Sequence, residues 1–155
     1  MAKYISVKFK TKCPDKSKRI PLTPETIKEM AEGLVKYLID RELFDNVRVY
    51  YNIGCDYWRT LTCDIYKEQD MWEQVELPVG KKGQYIVHQR DDLTPHEFFE
   101  YNGKYLSMSF EGPLYHELNY DSYYGNTSEH LRNYFSWYGL YFEQGYAWSL
   151  SCYEI

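Results

Sequence analysis

Four histidines, His88, His96, His116 and His130, lie in the second half of the chain, each close in sequence to carboxylates. Imidazole and carboxylate together can hold a divalent metal, and a metal so held can activate water for hydrolysis. His88, Asp91, Asp92 and His96, or the pairs His96-Glu97 and His116-Glu117, are the sets that could do this. A metal-dependent hydrolase or nuclease would then draw on His88, Asp91, His96, His116 and Glu117. The helix-borne His-Glu-x-x-His spacing, which puts two imidazoles on one face, does not occur. Ordinary surface or hydrogen-bonded histidines are the simpler expectation, with no metal.

The other catalytic patterns are no stronger. Asp64 and Lys67 stand one residue too far apart for the acid-x-Lys end of a nuclease site. No Gly-x-Ser-x-Gly turn is present to expose a nucleophilic serine. Gly80-Lys81-Lys82-Gly83 is a short basic turn, not a phosphate-cradling loop. Cys13, Cys55, Cys63 and Cys152 include no Cys-x-x-Cys pair; free thiols are expected, with Cys152 as small apolar filler in a strand. The patterns therefore give no catalytic residue and no cofactor.

Charge is informative through its distribution. The chain of 155 residues carries a net −5. Residues 1–23 hold seven bases against Asp15, a net +6, and the remainder is −11. Lys8, Lys10, Lys12, Lys16, Lys18 and Arg19 could contact phosphates, but a pI near 5.4 argues against direct nucleic-acid binding. A solvated basic edge that discourages strand pairing is the expectation there. Residues 91–129 reverse the balance, with eight acids against Lys104 alone.

Within that acidic stretch, Tyr115 to Asn126 interleaves four tyrosines with acids, Ser, Asn and Gly. Tyr offers a large rigid contact area at small entropic cost, and small polar residues adjust hydrogen bonds around it. Neighbouring carboxylates favour a basic partner. Tyr115, Glu117, Tyr120, Asp121, Tyr123 and Tyr124 are accordingly the candidate partner-binding residues. The simpler alternative is an irregular connection whose tyrosines cover the core.

The elements that must position these residues follow from periodicity. Thr23-Pro24-Glu25 is a helix start, with a capping hydroxyl, proline at the first position and an acid in the first turn. Ile27, Met30, Ala31, Leu34, Leu38 and Ile39 then predict a helix over Pro24 to Glu42. Alternation predicts strands over Tyr4 to Lys12, Val47 to Ile53, Tyr57 to Tyr66, Met71 to Leu77 and Gln84 to Gln89. Asn102-Gly103 predicts a hairpin between Phe98–Tyr101 and Tyr105–Phe110, although Thr94-Pro95 could instead open a short helical turn.

Gly112-Pro113 reads as a break, and Leu114 to Asn126 has no clean period. A second helix is expected from Thr127 or Ser128, with Leu131, Tyr134, Phe135, Tyr138, Tyr141 and Phe142 on one stripe and Gly145 as its terminator. Tyr146 to Tyr153 reads as a closing strand with Tyr146, Trp148, Leu150 and Cys152 on one face. The sum is one α+β domain over residues 1–155, a mostly antiparallel sheet of five to seven strands with two main helices on one face.

Hydrophobic residues make up 44% of the chain, enough for a core, and Tyr supplies 18 residues against 7 Phe and 4 Trp. No apolar run is long enough to cross a membrane and the first residues lack a secretory pattern, so a cytoplasmic, membrane-free protein is expected. The size, acidity and tyrosines are similar to those of small inhibitors carried by phages and mobile elements, among them anti-CRISPR and anti-restriction proteins. That similarity, one of composition alone, implies a non-enzymatic protein-binding module that occupies a basic nucleic-acid-handling surface by mimicry.

Overall fold

The computed structural model describes residues 20–65, 85–95, 104–120 and 126–155. Helix α1, Pro24–Asp40, begins as its sequence dictates and ends two residues before the expected Glu42. The Thr23 hydroxyl accepts from the Thr26 amide at 3.2 Å, satisfying a backbone donor that has no partner within the helix. The helix gives way at Arg41, and Glu42 takes a left-handed φ of 58° that turns the chain toward the sheet.

Among the described residues six strands follow: β1 (Val47–Asn52), β2 (Trp58–Ile65), β3 (Tyr85–Arg90), β4 (Leu106–Phe110), β5 (Leu140–Glu143) and β6 (Ser149–Glu154). They form one antiparallel sheet in the order β3-β2-β1-β4-β6-β5. Residues directly opposite one another share a face. Leu61, Val49, Met108 and Leu150 therefore make an apolar row across four strands. Helix α1 and helix α3 (Thr127–Trp137) lie over this face, where Met30, Leu34, Leu38, Leu131, Tyr134 and Phe135 join the same core. The buried Tyr134 hydroxyl donates to the Met30 carbonyl at 2.7 Å and fastens α3 to α1.

The expected α+β architecture is present, with a third helix, α2 (Pro113–Asn119), where no period was legible. Gly112-Pro113 ends β4 and opens this helix at once: Gly112 takes φ 78° and Pro113 occupies a position that needs no backbone N–H. Leu114 and Glu117 are its buried residues.

Helix α3 is shorter than its apolar stripe predicts. It stops at Trp137, and Gly139, at φ 73°, turns the chain so that Tyr141 and Phe142 belong to β5. The closing strand likewise begins at Ser149, later than expected. Trp148 packs with Tyr50, Trp58 and Leu93, apart from the core that holds Leu150 and Cys152. The expected common face of Trp148 and Leu150 is thus not formed, because residue 148 precedes the strand.

Both edges of β4 are taken, one by β1 and the other by β6. The hairpin expected around Asn102-Gly103 thus has no free ladder on β4; its first arm, Phe98–Tyr101, lies outside the described residues, as do the strands expected over Tyr4–Lys12 and Met71–Leu77.

Candidate functional site

Two surfaces stand out. The first begins at the end of α2. There the chain leaves the helix in an extended conformation at Tyr120, whose amide still donates to the His116 carbonyl at 2.9 Å. Residues four apart lie on one helix face, so the His116 and Tyr120 rings meet, with centroids 5.6 Å apart. Tyr115 completes the cluster at 5.7 Å from His116 and 5.9 Å from Tyr120. Tyr115 is half-buried against the core, whereas Tyr120 is 64% exposed. A hydrogen bond with Tyr120 raises the Tyr115 hydroxyl above the ordinary tyrosine value.

A clasp extends this surface onto the turn before β6. The Asn119 side-chain amide donates to the carbonyl of Ala147 at 2.7 Å and to that of Tyr115 at 2.9 Å. Gln144 donates to the Asn119 side-chain oxygen and to the same Ala147 carbonyl, each at 3.3 Å. On either side of Ala147, Tyr146 and Trp148 stack with centroids 5.0 Å apart and planes 2° from parallel. Tyr146 is 47% exposed. Sequence reasoning assigned this pair to a strand face; their separation by one residue carries no stacking signal, because the turn that folds them together is visible only in three dimensions.

Of the predicted partner-binding residues, the structure brings Tyr115 and Tyr120 together at this surface. Glu117 points the other way: it is buried and accepts from the Thr127 hydroxyl at 2.8 Å, so it serves the α2–α3 junction. Asp121, Tyr123 and Tyr124 lie outside the described residues.

The acidity of the stretch is also partly spent within the fold. Arg90 clamps Asp92 through two hydrogen bonds, 3.0 and 2.7 Å, and holds its carboxyl below the usual range. Asp91 pairs with Arg59 at 3.4 Å. Glu111 and Glu129 remain exposed.

The described histidines are dispersed over β3, α2 and α3, and His96 lies outside the described residues. Among the described residues no group of three His, Cys, Asp or Glu could hold a metal. His130 instead joins α3 to α1. Its Nδ1 lies 2.9 Å from the Tyr37 hydroxyl and 3.0 Å from the Arg41 guanidinium. Burial, then the Arg41 charge, lowers its pKa below 6.5. Cys55 and Cys152 are free thiols, and complete burial pushes the Cys152 thiol well up, away from nucleophilic chemistry.

The second surface is a cavity of about 760 Å³ on the sheet face opposite the helices. The strand order places His88, Thr62, Arg48 and Ser109 in one row across β3, β2, β1 and β4. All four line the cavity, as do Glu111 and Trp148. No linear spacing announces such a row, since its members come from four strands and converge only once the order of those strands is fixed.

The fold defines an α+β open-sheet protein carrying a tyrosine-containing aromatic cluster, and no described helix is long and apolar enough to cross a membrane. No family model, curated protein or solved structure matches the chain.

Proposed function

We propose that this chain is a non-enzymatic protein-binding module that docks through the aromatic surface formed by Tyr115, His116 and Tyr120 with Tyr146 and Trp148. The observation that carries this reading is the exposure of Tyr120, 64%, in a ring cluster already held in place by its neighbours. A preorganised aromatic that stays wet loses little entropy when it is covered by a partner, and Tyr and Trp are enriched among residues that dominate interface energy. The partner in this reading is a protein with a basic, nucleic-acid-handling surface, and the chain acts as its inhibitor, like those of phages and mobile elements. The net charge of −5 supports that choice, because opposite charge accelerates encounter and makes it sensitive to salt.

The test compares the parent chain with a Tyr120→Ala/Tyr146→Ala double variant in affinity capture from host lysate. The parent is expected to retain a nucleic-acid-handling protein that salt releases, and the double variant to lose it at unchanged unfolding midpoint. Equal capture by both, or capture indifferent to salt, overturns the reading.

A further inference from the structure

The two most exposed rings of the docking surface are each backed by other rings. Tyr146 stacks on Trp148 with planes 2° from parallel, so one of its faces is covered and its 47% exposure is left to the far face and the edge. Tyr120, 64% exposed, leans on His116 and Tyr115. The hydrogen bond from Asn119 to the Ala147 carbonyl joins the immediate neighbours of these two tyrosines, so both rings border one patch. The segment that builds this patch is acidic. Residues 105–155 supply all five aromatic residues of the surface and hold Glu111, Glu117, Asp121, Glu129, Glu143 and Glu154 against Arg132 alone. Glu111, Glu129, Glu143 and Glu154 are exposed, and Arg132 donates to Ser128 on its own helix at 2.9 Å.

Resting on the docking role of this surface, we infer that the exposed faces of Tyr120 and Tyr146 receive arginine side chains of the basic partner, each guanidinium lying flat on a ring. The face of an aromatic ring is its negative side, and a cation placed over it is attracted. Arginine suits such a face better than lysine does, because the guanidinium is planar and weakly hydrated, whereas the ammonium is a compact charge that holds its water. Arginine is also the side chain of choice for gripping phosphates and nucleic acid, so a partner that handles nucleic acid presents it. A nucleobase would stack on the same rings, but the phosphates attached to it would meet an acidic segment that repels them. Charge and ring exposure together therefore select the guanidinium.

The probes are two capped peptides of equal charge, Gly-Arg-Gly-Arg-Gly and Gly-Lys-Gly-Lys-Gly, titrated at constant ionic strength into the full chain and followed by backbone amide shifts. Saturable shifts are expected at Tyr120, Tyr146 and Ala147 with the arginine peptide, and severalfold weaker binding with the lysine peptide. Tyr120→Leu and Tyr146→Leu are each expected to weaken arginine binding about two- to fivefold, the worth of one exposed cation–π contact. Tyr146→Phe keeps the ring and should bind as the parent does. Equal affinity for the two peptides, no saturable shift at those residues, or a thymidine oligonucleotide that shifts them at lower concentration overturns the inference; the parent chain alone decides these outcomes, whether or not the variants fold. Leucine variants that fold and bind as the parent does overturn it as well. Capture of a partner without any arginine preference sinks this inference alone, whereas arginine binding without capture leaves it standing and removes the docking role.

Discussion

The Asn119 side chain ties the last residue of α2 to the carbonyl of Ala147, 2.7 Å away, in the turn that leads into β6. This one contact puts Tyr120 and the Tyr146–Trp148 stack on a common frame. Asn119→Ala is expected to lower stability by about 1 kcal/mol, the usual net worth of a hydrogen bond. It should also weaken partner capture, because the two aromatic groups would no longer be held in register. Urea unfolding checks the first effect and salt-dependent capture the second.

Glu117 should behave as a structural residue. Its carboxylate accepts from Thr127, and the Thr127 hydroxyl also lies 3.5 Å from Arg41, itself bonded to Asn126. Glu117→Ala removes an acceptor from a buried network and is expected to cost about 1–3 kcal/mol. Glu117→Gln retains an acceptor and should cost less. The order of the two urea midpoints tests the assignment.

His130 predicts a pH dependence. Arg41 can only donate, so Nδ1 is the acceptor and the neutral ring carries its proton on Nε2. Burial and then Arg41 depress the native pKa below 6.5, opposed by Glu129. The folded state thus binds fewer protons than the unfolded chain near that pH, and stability must rise with pH across the interval. This contribution is present in full above the unfolded value and is lost as pH falls through the depressed native one. Urea midpoints are expected to drop as pH is lowered from 7 through this window, and His130→Gln should flatten that part of the profile.

Two glycines separate the observed end of α3 from the expected one. Gly139 sits at φ 73°, where a side chain costs about 1–2 kcal/mol. Gly145 is exposed without a left-handed φ, and an added Cβ would meet the Ser149 hydroxyl at an ordinary 3.7 Å. Gly139→Ala should lower the thermal midpoint clearly, while Gly145→Ala should stay within about 0.5 kcal/mol of the parent.

That contrast shows how legibility varied along the chain. Helix α1 was readable because cap, proline and apolar stripe agree over 17 residues. β1 and β2 were readable because apolar and polar residues alternate along them, so that Val47, Val49 and Tyr51 of β1 and Leu61, with half-buried Cys63, of β2 meet the core under the helices. α2 was not: a helix of 7 residues with Leu114 and Glu117 buried is too short to establish a period. The stripe of α3 ran on into Tyr141 and Phe142 because their spacing still fits a helical face, and only the backbone demand at Gly139 breaks it. The candidate surface was half legible. Tyr115 and Tyr120 were singled out from composition, and the fold sets their rings 5.9 Å apart, but Glu117, on the same short helix, turns inward to a hydroxyl that composition could not assign to it. The cavity row required the strand order, which local patterns do not contain.

The placement of β4 between β1 and β6 also sets an order of assembly. Leu106, Met108 and Phe110 are fully covered in the finished sheet, yet the strand that closes one side of β4 is made last, at Ser149–Glu154. During synthesis, a chain that has completed β4 but not β6 carries an apolar strand with an open ladder, the kind of edge that recruits other chains. Between the synthesis of those two strands a nascent molecule is therefore open to mispairing along β4, and the arrival of β6 closes that edge.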